Sequence, residues 1–288
     1  MLKERNIKPY RFVIYLVLIL FALSIIVPIL WVFMASVKTE LELMSGNPFI
    51  PPENLIWENY TNAWNNARMG DYLFSSFLVT GLALVLLLVM ALPCAYALAR
   101  FDFKGRKLLT TLFMAGLFVN ISYIALPIFL MVFQVERALE LRNVLLNNRG
   151  IVALIYAATS LPFTVYLLVS YFRTLPLEYE EAASIDGSGY FQTMIRIMFP
   201  MARPAIITVI MFQFLSFWNE YVLAFTFLDK ENATLPVGLK NLMAQSRSQA
   251  QTGVMYAGLV IVMIPVLLLY IGLQKRIIEG MNVGGLKG

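Results

Sequence analysis

Apolar residues dominate six long stretches of the chain, and polar residues fall mostly between them. A helix that crosses the hydrocarbon core of a membrane needs about 20 mostly apolar residues, and each stretch reaches that length. The first stretch follows several basic residues, as a secretory signal does, but it exceeds the roughly 7 to 15 apolar residues of a cleavable signal. The pattern predicts six transmembrane spans, at residues 12–37, 72–99, 108–134, 151–172, 204–228 and 253–273.

The Lys and Arg residues predict how the spans are oriented, since cytoplasmic segments are enriched in these charges. With the N-terminus inside, the inner segments hold most of the 22 basic residues. Those on that side are Lys3, Arg5, Lys8, Arg11, Arg100, Lys104, Arg106, Lys107, Arg173, Arg196, Arg203, Lys275, Arg276 and Lys287. We therefore expect an all-α integral membrane protein with both termini in the cytoplasm, built as a single domain over residues 1–288.

Composition agrees with a membrane protein, because 60% of the residues are hydrophobic and 14% are charged. The chain has no histidine, so the commonest general base and neutral metal ligand are missing. The single Cys94 lies in an apolar run and reads as a small buried hydrophobe. We predict no catalytic residue and no metal site. The net charge of +5 comes from residues that flank the spans, so no nucleic-acid partner is expected.

A long polar segment, residues 174–203, separates the fourth and fifth spans. Local signals predict a helix-turn-helix: Thr174 can cap a first helix, Gly187 can form the turn, and Pro200 can end a second helix. One interpretation is an amphipathic segment lying on the inner leaflet. The other is a surface for a protein partner, and three glutamates in the first helix favour it because lipid-bound helices usually display Lys and Arg.

This segment also resembles a known motif. Glu181-Ala182-Ala183, then Gly187, then Ile197-Met198-Phe199-Pro200 resembles the EAA motif of permease subunits of ATP-binding-cassette importers, with Phe199 where leucine is usual. Further matches resemble the MalG-like permeases of carbohydrate importers, and together they extend from about Ser36 to the end. They are Ala95 to Phe101 with Gly105, Trp218-Asn219-Glu220-Tyr221, Leu235 to Leu239, and Gly284 to Gly288.

The resemblance implies that the polar segment is a coupling loop that enters a cleft on a separate cytoplasmic ATPase dimer. The residues implied in coupling are Glu180, Glu181, Ala182, Ala183, Asp186 and Gly187. ATP and Mg²⁺ would bind the partner ATPase, since this chain has no G-x-x-x-x-G-K-[ST] phosphate loop. The family also implies a second, MalF-like permease, an extracytoplasmic solute-binding protein and a place in the inner membrane. The tail residues Gly284, Gly285 and Lys287 would reach the ATPase interface, or form a frayed terminus.

Candidates for the solute path are polar residues inside the spans. Asn219 and Glu220 lie in the fifth span, where an ionisable group is a functional candidate, although snorkelling to the interface is the alternative. Asn120 and Tyr123 lie in the third span. The resemblance implies a sugar or polyol as solute, with another small solute such as a polyamine left open. It also makes the outer segments 38–71 and 229–252 landing surfaces for the binding protein, with packed loops as the alternative.

Two other functions agree less well with the sequence. An ion-coupled secondary transporter would normally carry several buried ionisable groups and two related halves, and the sequence has one such acid and no clear repeat. An intramembrane enzyme would need a catalytic set that a chain without histidine or paired buried carboxylates lacks. Neither function accounts for the segment rich in glutamate, alanine and glycine.

Overall fold

A computed structural model describes residues 9–44, 47, 49–141, 144–249 and 251–284. Every regular element within these residues is helical, which confirms the predicted all-α fold. The helices are α1 (Pro9–Ala35), α2 (Glu40–Met44), α3 (Glu58–Thr61), α4 (Met69–Arg100), α5 (Arg106–Gly116), α6 (Ile121–Ala138), α7 (Arg149–Phe172), α8 (Glu178–Ile185), α9 (Tyr190–Thr193), α10 (Phe199–Met201), α11 (Arg203–Trp218), α12 (Val222–Phe227), α13 (Leu235–Gln249) and α14 (Thr252–Gly284). Two segments, Asn62–Asn66 and Met194–Met198, are π-helical.

Helices of membrane-spanning length account for most of the six predicted spans. Five segments in the described residues are long and apolar enough: Arg11–Ala35, Met69–Arg100, Ile121–Ala138, Arg149–Phe172 and Thr252–Gly272. A sixth candidate is a bent pair, Tyr190–Met201 with Arg203–Trp218, whose two parts are bent by 73°. The described part of the chain therefore has five such helices, or six spans if the bent pair crosses as one.

Two of the predicted spans are not continuous helices. The third, predicted at 108–134, is divided into α5 and α6, because Asn120 leaves the helical conformation and accepts a hydrogen bond from the Ser122 N–H (2.9 Å). The fifth, predicted at 204–228, ends as α11 at Trp218 and resumes as α12. A hydropathy pattern cannot reveal these breaks, since the breaking residues lie inside apolar runs.

One of two compact units comprises residues 1–69 and 239–264. Its predicted outer segment is held by hydrogen bonds to the beginning of α14. The carboxylate of Glu40 accepts bonds from the backbone N–H (2.7 Å) and the hydroxyl (2.6 Å) of Thr252, which caps that helix. The Nδ2 of Asn59 donates to the carbonyls of Ser36 and Lys38, both at 3.0 Å. This part of the outer segment is therefore ordered structure.

The other unit comprises residues 70–238 and 265–288. Its core includes one buried stripe of α4, formed by Val79, Ala83, Leu87, Ala91 and Ala95. The four-residue spacing places these side chains on one helical face, and the small alanines allow close helix packing.

Candidate functional site

Helix α8 forms the first half of the polar segment, but it does not begin as the sequence predicted. The Thr174 hydroxyl donates to the carbonyl of Tyr171 (2.7 Å), at the end of α7, and does not cap α8. The residue before α8 is Leu177, which makes no side-chain capping bond. Three glutamates in the first turn favour this helix start electrostatically instead, because the N-terminal end carries positive partial charge.

The turn after α8 is the one predicted. Gly187 has φ +76°, a left-handed conformation that side chains rarely adopt. Its N–H donates to the carbonyl of Ser184 (3.1 Å), and the Ser188 N–H donates to that of Ala183 (2.9 Å). These two bonds form a Schellman motif, which ends the helix and fixes the direction of the outgoing chain. Asp186 occupies the last position before the glycine.

The second half of the polar segment continues farther than predicted. Helical structure runs from Tyr190 through a π-helical turn to Met201, so Pro200 does not end it. In the wider turn, the N–H of Phe199 donates to the carbonyl of Met194. The chain bends only at Ala202, before α11. The connection to the next span is therefore a bent helix pair.

The two faces of α8 differ in exposure. Glu178, Glu181, Ala182 and Ile185 are all exposed and follow the i, i+3, i+4, i+7 spacing of one helical face. We refer to these four residues as the outward face. Ile185 is 86% exposed, a large apolar side chain with no cover. Ala183, by contrast, is buried on the opposite side. An exposed face that combines carboxylates, a flat alanine and an uncovered isoleucine is suited to a protein partner.

Glu180 points back toward its own chain. Its Oε1 lies 3.2 Å from the Nε of Arg100, the last residue of α4. Arg100 also donates from Nη2 to the carbonyl of Leu175 (2.7 Å). Aromatic rings pack close by, with Phe101 and Tyr190 centroids 4.5 Å apart. The six predicted coupling residues therefore fall into three groups: the outward face, the contacts that hold α8 in place, and the turn that ends α8.

The predicted solute-path residue Glu220 has partners within the chain. It accepts hydrogen bonds from the N–H groups of Leu223 (2.9 Å) and Ala224 (3.1 Å), which caps the start of α12. The Tyr156 hydroxyl of α7 donates to the same carboxylate at 2.6 Å. Asn219 is exposed, and its Nδ2 donates to the carbonyl of Leu215 (2.8 Å). The carboxylate thus stabilises the break between α11 and α12.

The other predicted path residues lie at the break between α5 and α6. Asn120 is exposed and caps α6, while Tyr123 is 82% exposed. In the described part of the chain, no hydrogen bond connects this pair to Asn219 or Glu220. The four candidates therefore lie in two pairs, each at a helix break.

A groove of about 670 Å³ contains polar residues that the sequence reading missed. Its walls include Thr159 and Ser160 from the middle of α7 and Gln213 and Ser216 from α11. Gln213 is buried and donates to the Thr164 hydroxyl (3.2 Å). The sequence feature that could have identified these residues is the occurrence of hydroxyl and amide side chains in otherwise apolar runs.

The predicted tail contact falls almost wholly outside the described residues. Gly284 is the last residue of α14, whereas Gly285 and Lys287 are not among the residues that the structure describes. Among the described residues, no group of three His, Cys, Asp or Glu side chains could hold a metal ion.

Comparison with known proteins places the chain in a family. The family described as "Binding-protein-dependent transport system inner membrane component" matches residues 88–283. The chain belongs to this family. Membership makes it a membrane component of a transport system and confirms the family to which the motifs pointed.

Individual relatives match over nearly the whole chain. The diacetylchitobiose uptake system permease protein NgcG of Streptomyces coelicolor is 38% identical over 93% of this chain and 86% of its own length. The sulfoquinovosyl glycerol transport system permease protein SmoH of Agrobacterium fabrum is 32% identical over 98% and 94%. A crystal structure of a bacterial ABC transporter that imports alginate has a similar fold. Its matching chain gives a TM-score of 0.77 at 24% identity, with 92% of this chain and 95% of that chain covered.

Proposed function

We propose that this family member is the permease subunit of an ATP-binding-cassette importer that carries a carbohydrate. The solute class is supported by relatives named as permeases for diacetylchitobiose and sulfoquinovosyl glycerol, and by the alginate importer that has a similar fold. These compounds have many hydroxyl groups in common. A solute of that kind needs hydrogen-bonding groups along its path.

The outward face of α8 is the observation that carries the proposal. A separate cytoplasmic ATPase would receive Glu181, Ala182 and Ile185 in a cleft, the carboxylate would meet a basic group, and the alanine would allow close approach. Glu180 and Ala183 would hold α8 against its own chain, and Asp186 and Gly187 would end it. ATP and Mg²⁺ would bind that ATPase. Closure of the ATPases must favour one arrangement of the spans by several kcal/mol, about 5.5 for an almost complete switch.

The other subunits that we propose are those implied by the resemblance to the importer family. A second, MalF-like permease would complete the pathway, and a solute-binding protein would deliver the solute to the outer segments. The basic residues favour cytoplasmic termini, and the family description favours the inner membrane. Tail residues Gly284, Gly285 and Lys287 are proposed to reach the ATPase interface.

The solute route is proposed to follow the two helix breaks. Non-helical backbone at membrane depth is tolerated where protein buries it or where it lines a water-filled cavity, and transporters place solute sites at such breaks. Asn120 and Tyr123 would line the route at one break and Asn219 at the other. Glu220 would act there as a positioning residue, since its carboxylate is bonded within the chain.

Site-directed crosslinking tests the ATPase contact. Cys94 is the only cysteine, so a Cys94→Ser background allows single cysteines to be introduced. In the assembled transporter, Ala182→Cys and Ile185→Cys are expected to crosslink to the ATPase subunit. The control is Leu41→Cys, on α2, because Leu41 is 83% exposed and thus matches Ile185 in accessibility. Crosslinks from Leu41→Cys alone, or from none of the three, would contradict the proposal.

A further inference from the structure

A second groove in the unit of residues 70–238 and 265–288, about 970 Å³ in volume, lies between the beginning of α5 and the end of α7. Its walls include three basic residues, Arg106, Lys107 and Arg173, and one acid, Asp102. The groove therefore has a positive charge balance. It shares no lining residue with the outward face of α8 or with the groove that contains Gln213.

The basic residues differ in whether their side chains already have partners within the chain. The guanidinium of Arg106 forms an ion pair with Asp102 (2.6 Å) and donates to the carbonyls of Leu98 (3.0 Å) and Ala99 (3.4 Å). Lys107 and Arg173 are exposed, and within the described residues neither has an ion pair or a side-chain hydrogen bond. Two cations that share one groove are thus available to an external anion.

The beginning of α5 adds to the positive potential. No acidic residue lies in its first turn, and Gly105 before it provides no side-chain cap. The N-terminal end of a helix carries positive partial charge, so Arg106 and Lys107 are placed where cations are unfavourable. An anion in the groove would relieve this repulsion.

Away from the basic residues, the groove is lined by apolar side chains and by Thr110 and Thr111, whose hydroxyls already donate to the carbonyls of Arg106 and Lys107, both at 2.9 Å. Leu108 and Met114 line it, and Leu108, Leu112 and Met114 of α5 are exposed. A soluble anion needs only the basic end, whereas a phospholipid needs a basic end for its head group and an apolar wall for its chains. Helix α7, which ends beside the basic residues, is of membrane-spanning length, so those residues lie at the depth of lipid head groups.

We infer that this groove binds an anionic phospholipid, with Lys107 and Arg173 contacting the head group and the apolar side of α5 contacting the acyl chains. The inference concerns a lipid site and depends on neither the ATPase nor the solute. Basic residues near an anionic surface contribute about 1 kcal/mol each, which for two residues corresponds to about 30-fold in affinity.

Native mass spectrometry of the full chain, titrated with lipid in detergent, tests the inference. The wild-type chain is expected to bind phosphatidylglycerol or cardiolipin in preference to phosphatidylcholine. The variant with Lys107→Gln and Arg173→Gln is expected to bind about 30-fold more weakly. The charge-matched control is Arg196→Gln with Arg203→Gln, since both are exposed, predicted to be cytoplasmic and outside the groove. The control is expected to bind as the wild type does.

Three further measurements complete the test. Lys107→Arg retains the charge, so it is expected to retain lipid, and circular dichroism checks that each variant is folded. Glycerol phosphate is offered as a competitor, because it carries the head-group charge without acyl chains. Equal loss in the two double variants, equal binding of phosphatidylcholine, or full displacement by glycerol phosphate would overturn the lipid site.

Discussion

The Nε of Arg100 lies 3.2 Å from Oε1 of Glu180, and this ion pair joins the end of α4 to the first turn of α8. The two side chains are only 6% and 19% exposed, so solvent screens their attraction weakly. The pair therefore gives α8 a fixed attachment to a helix whose stripe of alanines is buried in the core. A displacement of α8 by a partner would act directly on α4.

Removal of one charge from this pair is expected to destabilise the protein. Glu180→Gln leaves the cation of Arg100 without compensation, and we expect a loss of about 2 kcal/mol in unfolding free energy, below the roughly 3 to 5 kcal/mol for fully buried pairs. Thermal unfolding of the full chain in detergent measures the effect. Glu181→Gln, on the exposed side, is the control and should stay within about 0.5 kcal/mol. Equal stability of the two variants would mean that the ion pair contributes nothing.

The turn after α8 can be tested with two glycines. A Cβ added at Gly187 or at Gly189 meets no atom within 4 Å, but Gly187 has φ +76° and Gly189 has φ −71°. Gly187→Ala is therefore expected to cost about 1 to 2 kcal/mol, and Gly189→Ala close to nothing. Hydrogen exchange at the Ser188 N–H reports on the turn, and solute-stimulated ATP hydrolysis of the reconstituted transporter reports on coupling. If both variants behave alike, backbone conformation at Gly187 is not the controlling factor.

Variants of Glu220 can show whether this residue positions the helix break or contacts the solute directly. Glu220→Ala removes three accepted hydrogen bonds, and each bond to a charged group contributes about 1.5 to 3 kcal/mol, so a large fall in melting temperature is expected. Tyr156→Phe removes one of them and should cost less. Glu220→Gln keeps an acceptor oxygen and should preserve most of the stability, with KM for transported solute near that of the wild type. A stable Glu220→Gln variant with a greatly raised KM would instead place the carboxylate on the solute.

The segment 38–71, predicted to lie outside, contains a hydrogen-bond cluster around Glu42 whose strength is expected to depend on pH. Bonds from the backbone N–H groups of Thr39 and Glu53, and from the Thr39 hydroxyl, lower the pKa of Glu42 below its ordinary 4.5. Because the folded pKa is below the unfolded one, the stabilisation is complete above the unfolded pKa and is lost as the pH falls through the folded pKa.

Amide hydrogen exchange at Glu53 is the appropriate measurement, since its N–H donates directly to Glu42 Oε1 (2.7 Å). Protection, corrected for intrinsic rates, should be constant between about pH 7 and about pH 5 and should decrease as the pH falls below the ordinary pKa of 4.5. Glu42→Gln should remove this pH dependence. A variant that retains the same pH profile would assign the transition to another group.

The sequence by itself determined the membrane class, the helical fold and the family. These depend on long apolar runs and on a motif whose glycine takes the left-handed turn, and both are local properties of the chain. It also located the polar segment between the fourth and fifth spans.

Only the tertiary structure decided which residues of that segment face outward. Glu180 and Glu181 are neighbours with identical chemistry, yet one is paired with Arg100 and the other is exposed. The same holds for Glu220, whose partner Tyr156 lies 64 residues away along the chain. Hydropathy and residue spacing describe only residues that are close together in the sequence. The pairing of a buried charge depends instead on which distant side chain folding brings within about 3 Å of it. No local sequence pattern contains that distance.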